Sequence, residues 1–395
     1  MKKDEFYIEI GAIQQSKDHE MVCGDVFLSR KIKEENRIIT VLSDGLGSGV
    51  KANVLATLTA TMGLNFTIEH FPPEQTAKTI LETLPVDQAR KISYATFTIV
   101  DIDADGETHI VNFDNPEPII LREGKMIKTD ISRKSLASKE DIARELTYSS
   151  FPARLGDRVI LISDGVSQSG IGTVPFPFGW DVPEVGKWVG SVLEDDEFIS
   201  APELAGKIVQ RAQANDIYTA KDDISCIVIY FRHPRKLLLC SGPPYHPEDD
   251  HRLAMTIESF GGQKVLSGGT TAEIVSRELG RPISVSLESF SKDIPPISTM
   301  PGIDLVTEGV LTLGRVSAML EAGIQLPVKG KDAASALLNL LLNNDQIFLL
   351  AGTRINEAHQ DPTLPVELEI RRNVVKKIKR LLEDKYLKEV ALDFI

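Results

Sequence analysis

Hydrophobic and polar positions follow two different patterns along the chain, and the change falls near His233-Pro234-Arg235. Before it, apolar runs of strand length are separated by short turns, and helical periodicity is confined to a few segments. The predicted strands are residues 6–10, 26–30, 37–43, 92–101, 107–113, 119–121, 158–163 and 224–231. The predicted helices are residues 50–69, 73–84 and 201–214, with Val54, Leu55 and Leu58 expected in the core. This pattern predicts an α+β layered domain with mainly antiparallel strands.

After residue 234, short apolar runs alternate with helical segments, and each run ends in a loop that contains glycine. The predicted strands are residues 236–240, 264–267, 302–307 and 346–351. The predicted helices are residues 247–260, 271–279, 313–322, 333–342 and 366–383. This repetition predicts an α/β domain with a mainly parallel, doubly wound sheet and loops gathered at one edge. We therefore expect two domains, residues 1–232 and 234–395.

Length and charge narrow the class of protein. A chain of 395 residues is long enough for two or three domains. An excess of 57 acidic over 44 basic residues gives a net charge of -13, which disfavours nucleic acid or an anionic membrane as a partner. The three cysteines have no metal-binding spacing, so we expect buried structural thiols. Without an apolar signal region or a membrane-spanning run, a cytoplasmic protein is expected.

Three acidic motifs adjoin predicted core strands of the first domain. They are Ser43-Asp44-Gly45, Ser163-Asp164-Gly165 and Lys221-Asp222-Asp223. Glycine after a carboxylate lets the backbone turn sharply and brings a main-chain carbonyl close to the same ion. Hard divalent cations take oxygen ligands, so three such motifs at neighbouring strand ends can hold two ions. Each motif alone is as readily an ordinary turn or a solvated loop.

These motifs, preceded by Cys23-Gly24-Asp25-Val26-Phe27, resemble the PPM-type metal-dependent Ser/Thr protein phosphatases. The likeness is greatest to the bacterial branch named after stage II sporulation protein E, and it spans about residues 5–232. It implies an α-β-β-α sandwich of two mainly antiparallel sheets, with metals at one end between them. It also implies a phosphoprotein phosphatase, an enzyme in which a metal-bridging water attacks phosphoserine or phosphothreonine directly.

The resemblance implies a site with two divalent cations, Mn²⁺ or Mg²⁺. Asp44 would bridge both ions, and the carbonyl of Gly45 would bind one of them. Asp164 and Asp222 would ligate the other ion, so Asp44, Asp164 and Asp222 are the implied catalytic residues. Asp25 matches an acidic position near the metals, as a water-mediated or accessory ligand.

The chain departs from the family at two positions, and several readings of its function stay open. Leu46 stands where many members carry a histidine, and no equivalent of the phosphate-binding arginine is found. His19 and Lys17 are substitutes to weigh against plain solvated side chains. The implied substrate is a phosphorylated regulatory protein, of the anti-sigma-antagonist type or another phosphoserine protein. The alternatives are a non-catalytic pseudophosphatase that docks a partner, and a small-molecule sensor whose main function lies in the second domain.

A second candidate site lies in the loop between a predicted strand and helix of the second domain. Its residues Gly268, Gly269, Thr270 and Thr271 would expose backbone N–H groups to a small anionic ligand. The loop matches neither a P-loop nor a dinucleotide fingerprint, because the lysine and the third glycine are missing. A tight turn with threonine as N-cap is an equal alternative. The domain's role is left open among a ligand sensor, a docking domain and a module that forms a homodimer.

Overall fold

A computed structural model describes residues 6–32, 34–84, 95–136, 144–285, 297–324, 328, 330, 332–354, 364–386 and 388–395. The chain divides into two compact units between His233 and Pro234. The strand predicted over residues 92–101 lies outside the described ranges at 92–94. No helix within the described ranges is long and apolar enough to cross a membrane.

The first unit contains two sheets and the helices that cover them. Its strands are β1 (Tyr7–Gln15), β2 (Asp25–Ile32), β3 (Arg37–Gly45), β4 (Ala95–Ile102), β5 (Glu107–Phe113), β6 (Ile119–Arg122), β7 (Lys125–Met126), β8 (Ile131–Leu136), β9 (Arg144–Pro152), β10 (Arg158–Ile162) and β11 (Ile224–Arg232). Its helices are α1 (Gly49–Ile68), α2 (Pro73–Thr83), α3 (Asp164–Ser167), α4 (Val182–Asp195) and α5 (Ala201–Asn215).

The two sheets stack face to face between layers of helix. One has the strand order β1-β11-β10-β6-β7 and the other β2-β3-β4-β5-β9-β8, and every pairing is antiparallel. Between the sheets lies an apolar core that includes Leu42, Leu161 and Phe231. Two further cores lie under α1 and α2 and under α4 and α5. The expected α-β-β-α sandwich is confirmed.

Strand β3 lies between a layer of helix and the opposite sheet, and its sequence reflects this position. Ile39 and Val41 pack beneath α1, whereas Leu42 faces the opposite sheet. Because both faces of the strand are covered, it is a continuous apolar run rather than an alternating one. In α1 only Leu55 of the three expected core residues is buried. Val54 and Leu58 are exposed and that expectation was wrong, since the helix turns this edge away from the sheet.

The second unit is built around one mixed sheet. Its strands are β12 (Lys236–Ser241), β13 (Gln263–Ser267), β14 (Ser284–Val285), β15 (Ser298–Met300), β16 (Ile303–Thr307), β17 (Gln346–Ala351) and β18 (Glu389–Phe394). Its helices are a 3-10 turn (Pro247–Asp249), α6 (Asp250–Ser259), α7 (Gly269–Leu279), α8 (Val310–Glu321), α9 (Ala333–Asn343) and α10 (Leu364–Tyr386).

The sheet of the second unit is doubly wound. Its order is β14-β15-β16-β13-β12-β17-β18, with parallel pairing from β16 to β18 and antiparallel pairing of β14 and β15 at the edge. Helices α6 and α7 cover one face, and α8, α9 and α10 cover the other. The expected α/β architecture with a mainly parallel sheet is confirmed. Chain order reverses between β12 and β17, where such folds open a crevice.

The cysteines are free thiols. Cys226 and Cys240 are fully buried as expected, and burial raises the pKa of both thiols. Cys23 is only partly buried, so the expectation of a buried thiol was wrong there. It lies in the loop before β2, where burial and the nearby Asp25 raise its pKa to about 12. At neutral pH all three are therefore protonated and poor nucleophiles.

Candidate metal centre

Four aspartates from different segments meet at one end of the sandwich. Asp25 and Asp44 stand opposite each other in the register of β2 and β3. Asp164 follows β10 and Asp222 precedes β11, and these two strands are paired in the other sheet. The carboxylates of Asp25, Asp164 and Asp222 all act electrostatically on Asp44. Each sheet thus contributes two acidic groups to one place, which we call the acidic cluster.

The glycines after two of these aspartates provide space rather than an unusual backbone angle. Neither Gly45 nor Gly165 has a positive φ. A Cβ on Gly45 would overlap the carbonyl oxygen of Ala52 in α1, and one on Gly165 would overlap that of Asp223. Real Cβ atoms essentially never approach within 3.0 Å in this way. The Asp-Gly pairs therefore let the acidic loops pack directly against neighbouring backbone.

Burial and mutual repulsion raise the pKa values of the two most deeply buried members of the cluster, Asp25 and Asp44. Burial is the main cause that raises the pKa of Asp25, with a further increase from nearby carboxylates. Burial and the neighbouring acids raise the pKa of Asp44 further still. The hydroxyls of Ser163 and Ser225 oppose the shift at Asp25, yet neither makes a hydrogen bond of ordinary geometry with it. Both carboxylate oxygens of Asp25 are buried and have no hydrogen-bond partner.

Asp164 and Asp222 are more accessible than Asp25 and Asp44, and each accepts a hydrogen bond. Burial and the charge of Asp222 raise the pKa of Asp164, whose Oδ2 accepts a 3.0 Å hydrogen bond from Gln168 Nε2. Burial also raises the pKa of Asp222. Its Oδ1 accepts the backbone N–H of Asp223 at 2.9 Å, and the positive charge of Lys17 lowers its pKa. Asp164 and Asp222 thus form the open side of the cluster.

Asp223 is a residue of this site whose role the sequence did not reveal. It is buried, its Oδ1 accepts the backbone N–H of Lys17 at 2.9 Å, and its Oδ2 has no hydrogen-bond partner. A Cβ on Gly24 would lie 2.7 Å from that oxygen. Asp223 therefore holds the β1–β2 loop against the start of β11. The adjacent pair Asp222-Asp223 was a visible signal, and both carboxylates act on the cluster, because Asp222 raises the pKa of Asp44 and Asp223 raises that of Asp25.

The substitutes considered for the missing family residues have different surroundings. The side chain of His19 is 94% exposed, and its ring lies 3.2 Å from Asp18. His19 is therefore a solvated side chain in this structure. Lys17 is half-buried beside Asp222 and acts on its charge, which makes it the better candidate to attract a phosphoryl group.

The donor set fits hard divalent cations. All four members of the acidic cluster offer carboxylate oxygens, the ligands that Mg²⁺ and Mn²⁺ prefer. The buried, unpartnered oxygens of Asp25 and the raised pKa of Asp44 are relieved by a positive charge. Among the described residues no three His, Cys, Asp or Glu side chains already stand at the spacing of metal ligands. The carboxylates therefore have to turn toward a common point to coordinate an ion.

The candidate loop of the second unit has the expected position but a different cap. It joins β13 to α7, and the N-cap is Gly268, with no side-chain hydrogen bond. The alternative of a threonine N-cap was therefore wrong. Thr271 is fully buried, and its Oγ1 accepts the backbone N–H of Gly242 at 2.9 Å. Gly269 is exposed and Thr270 half-buried at the start of the helix.

Comparisons with known proteins found several solved structures that are similar to part of this chain. Among solved structures, the phosphatase domain with a regulatory fragment of the cell fate determinant SpoIIE from Bacillus subtilis is 18% identical, with a TM-score of 0.47. That match covers 58% of this chain and 64% of that chain. RsbX in complex with magnesium is 18% identical over 58% of this chain and 98% of that chain, with a TM-score of 0.40.

A third solved structure, the Mycobacterium tuberculosis serine/threonine phosphatase PstP/Ppp, is 16% identical over 57% of this chain and 99% of that chain, with a TM-score of 0.38. No curated protein sequence matches the chain significantly. The sequence model of the family of stage II sporulation protein E (SpoIIE) matches residues 34–232, which is half of the chain. The protein therefore belongs to the SpoIIE family, and its first unit is a PP2C-type (PPM) phosphatase domain.

Proposed function

We propose that the protein is a metal-dependent Ser/Thr protein phosphatase whose catalytic residues are Asp44, Asp164 and Asp222. The observation that carries the proposal is the convergence of four aspartates, two from each sheet, whose pKa values are raised by burial and, for Asp25, Asp44 and Asp164, by nearby carboxylates. Membership of a phosphatase family supports the same reading.

Each residue of the acidic cluster has its own role in this proposal. Mg²⁺ or Mn²⁺ ions bound there would supply charge neutralisation and an activated water for direct hydrolysis of the phosphate ester. Asp44, with the carbonyl of Gly45, would hold both ions from the centre of the cluster, and Asp164 and Asp222 would hold one from its open side. Asp25 would act as the accessory acidic group behind Asp44. Lys17 would draw the phosphoryl dianion toward Asp222 and orient it.

The surface beside Asp222 supports a protein as the substrate. The loop after α3 exposes Val174 and Phe178, and the loop before Asp222 exposes Ile217 and Tyr218, the two aromatic side chains at 88% and 79%. We call these four residues the apolar rim. The two loops are tied together, because Lys221 Nζ donates to the carbonyl of Ile171 at 3.0 Å. An exposed apolar surface next to a proposed catalytic site is typical of a macromolecular docking site.

Turnover of a phosphoserine peptide tests the activity. We expect hydrolysis with Mn²⁺ or Mg²⁺, none with EDTA, and loss of at least 100-fold in kcat in Asp164→Asn at saturating metal. Asp130→Asn, at an exposed position outside the cluster, is the matched control and should keep full activity. Absence of metal-dependent turnover on a phosphorylated protein or peptide would contradict the proposal and favour a non-catalytic docking protein.

The apolar rim gives a separate test of the substrate class. Phe178→Ala together with Tyr218→Ser should lower kcat/KM for a phosphorylated protein by about tenfold, as expected for losing two exposed aromatic contacts. Hydrolysis of a small aryl phosphate should not change. Phe198 is also exposed, at 73%, but follows Glu197, whose carbonyl accepts a hydrogen bond from Arg158 at the opposite end of β10, so Phe198→Ala is the matched control. Equal losses on both substrates would refute a docking role.

A further inference from the structure

The carboxyl edge of the parallel sheet in the second unit carries polar side chains, and one of them forms no hydrogen bond within the fold. Three adjacent strands end there at Ser241, Ser267 and Thr307, which are partners in the register of the sheet. The buried hydroxyl of Ser241 has no hydrogen-bond partner. Such groups are rare in native proteins, so each calls for an explanation.

The side chain of Ser241 faces the same side of the sheet as the start of α8. Along β12 the side chains alternate, and Leu239 belongs to the core beneath α8, α9 and α10. Ser241 therefore lies on that face, next to Ser267 of the neighbouring strand. The hydroxyl of Ser267 lies 3.3 Å from the carbonyl oxygen of Glu308 and 3.4 Å from that of Gly309, directly before α8.

The first turn of α8 adds two more groups of the same kind. The helix begins at Val310 with no capping side chain, so its first N–H groups face outward with a partial positive charge. Thr312 in this turn is fully buried, and its hydroxyl has no hydrogen-bond partner. Glu308, just before the helix, has a buried Oε2 without a partner. Thr312 and Glu308 thus lie at one uncapped helix N-terminus, and Ser241 lies on the same face of the sheet, two strands away from the strand that leads into this helix.

We propose that this edge binds a phosphate ester with neighbouring hydroxyl groups, that is, a sugar phosphate or a nucleotide. The phosphate would accept hydrogen bonds from the N–H groups of α8 and from the hydroxyls of Ser241 and Thr312. Glu308 would accept hydrogen bonds from hydroxyls of the ligand. A bare phosphate dianion would meet the like charge of this carboxylate, which is why the ligand needs hydroxyl donors.

Two features of the surrounding edge agree with this chemistry. A Cβ on Gly242 would lie 2.6 Å from Nη1 of Arg371, which places a guanidinium group beside the end of β12. The strand order reverses between β12 and β17, and ligands of doubly wound sheets bind at this reversal. The hydroxyl of Thr271 accepts the backbone N–H of Gly242, which ties the start of α7 to the end of β12. The proposal does not depend on the phosphatase activity of the first unit.

Calorimetry on the full chain with ribose 5-phosphate, AMP and inorganic phosphate tests the site. Ser241→Ala and Thr312→Val should each raise the Kd for the phosphate ester about tenfold, the cost of one hydrogen bond to a charged group. Ser317→Ala is the matched control, since that hydroxyl is also buried and unpartnered in α8 but lies beyond its first turn, and the Kd should not change. Without ligand, both test variants should be as stable as the wild type or more so, because they remove unpartnered hydroxyls.

A fourth variant tests the role of the carboxylate. Glu308→Gln should weaken binding of ribose 5-phosphate or AMP and leave inorganic phosphate bound equally or more tightly. Binding of ribose 5-phosphate alone would identify a sugar phosphate, and tighter binding of AMP would identify a nucleotide. No binding of either ester at millimolar concentration, or binding that Ser241→Ala and Thr312→Val leave unchanged, would overturn the proposal.

Discussion

Replacing Gly165 by alanine tests how the acidic cluster is assembled. The new Cβ would lie more than 1 Å inside the 3.4 Å at which ordinary contact with the Asp223 carbonyl oxygen begins. The atom that the new Cβ would meet belongs to the backbone of Asp223, so no flexible side chain can move aside. The turn that carries Asp164 and the segment that carries Asp222 must therefore separate. Overpacking of this kind costs about 1–3 kcal/mol, and we expect the upper end because the contact is rigid.

The two tryptophans allow the loss of stability caused by Gly165→Ala to be measured in the first unit alone. Trp180 and Trp188 are the only tryptophans of the chain, and both lie in that unit, with Trp180 buried in the core beneath α4 and α5. Urea unfolding followed by their fluorescence should show a midpoint lowered by about 1 M or more for Gly165→Ala, given an m-value of about 2 kcal/mol/M. Metal-dependent turnover should fall with it.

A matched glycine shows whether close approach is the cause. A Cβ on Gly206 in α5 would meet no atom within 4 Å, so Gly206→Ala should stabilise the same unit by about 0.5–1 kcal/mol through helix propensity. If Gly165→Ala unfolds at the wild-type urea concentration and keeps its turnover, the packing argument is refuted.

Three further predictions concern charge in the first unit. Without metal, the stability of the unit should fall as pH rises above about 4, because the raised pKa values make ionisation of the acidic cluster costlier in the folded state. Urea midpoints measured in EDTA should show this fall. Asp44→Asn should make the midpoint less dependent on pH. Lys17→Ala should raise KM for a phosphoserine peptide about fivefold, since a half-exposed charge beside Asp222 contributes about 1 kcal/mol. Lys17→Arg should keep the wild-type KM. An unchanged KM for Lys17→Ala in steady-state kinetics would exclude a role of Lys17 in attracting the substrate phosphate. Arg122→Met should destabilise the unit by about 3 kcal/mol, because it leaves the fully buried Asp157 without its ion-pair partner. The kcat of the folded protein should not change. Urea unfolding checks the loss of stability, and steady-state kinetics checks kcat.

The sequence predicted the buried elements of the fold better than the edges. Apolar runs such as β3 and β11 are buried on both faces, so these patterns were unambiguous. β8, at a sheet edge, and the largely polar β9 beside it carry few apolar positions and were not predicted. β18 is a largely exposed edge strand of the second unit and was missed for the same reason.

The candidate site was predictable as a set of residue types but not as an arrangement. Acidic residues at strand ends are visible in the sequence, whereas the pairing of Asp25 with Asp44 depends on strand register. The glycine of Asp164-Gly165 was expected to permit a sharp turn, and it instead leaves room for a backbone carbonyl. Asp223 and Lys17 became part of the site only through packing across 206 residues of sequence. Such contacts have no local signal.

Titration of the metal-free protein with Mn²⁺ in a calorimeter tests the central claim most directly, because it examines the acidic cluster without requiring a substrate. The wild type and the Asp130→Asn control should bind two ions, with release of protons from the cluster. Asp44→Asn should abolish binding of both ions, since this residue is the proposed bridge. If Asp44→Asn binds Mn²⁺ with the stoichiometry and affinity of the wild type, the acidic cluster is not the metal centre of a phosphatase.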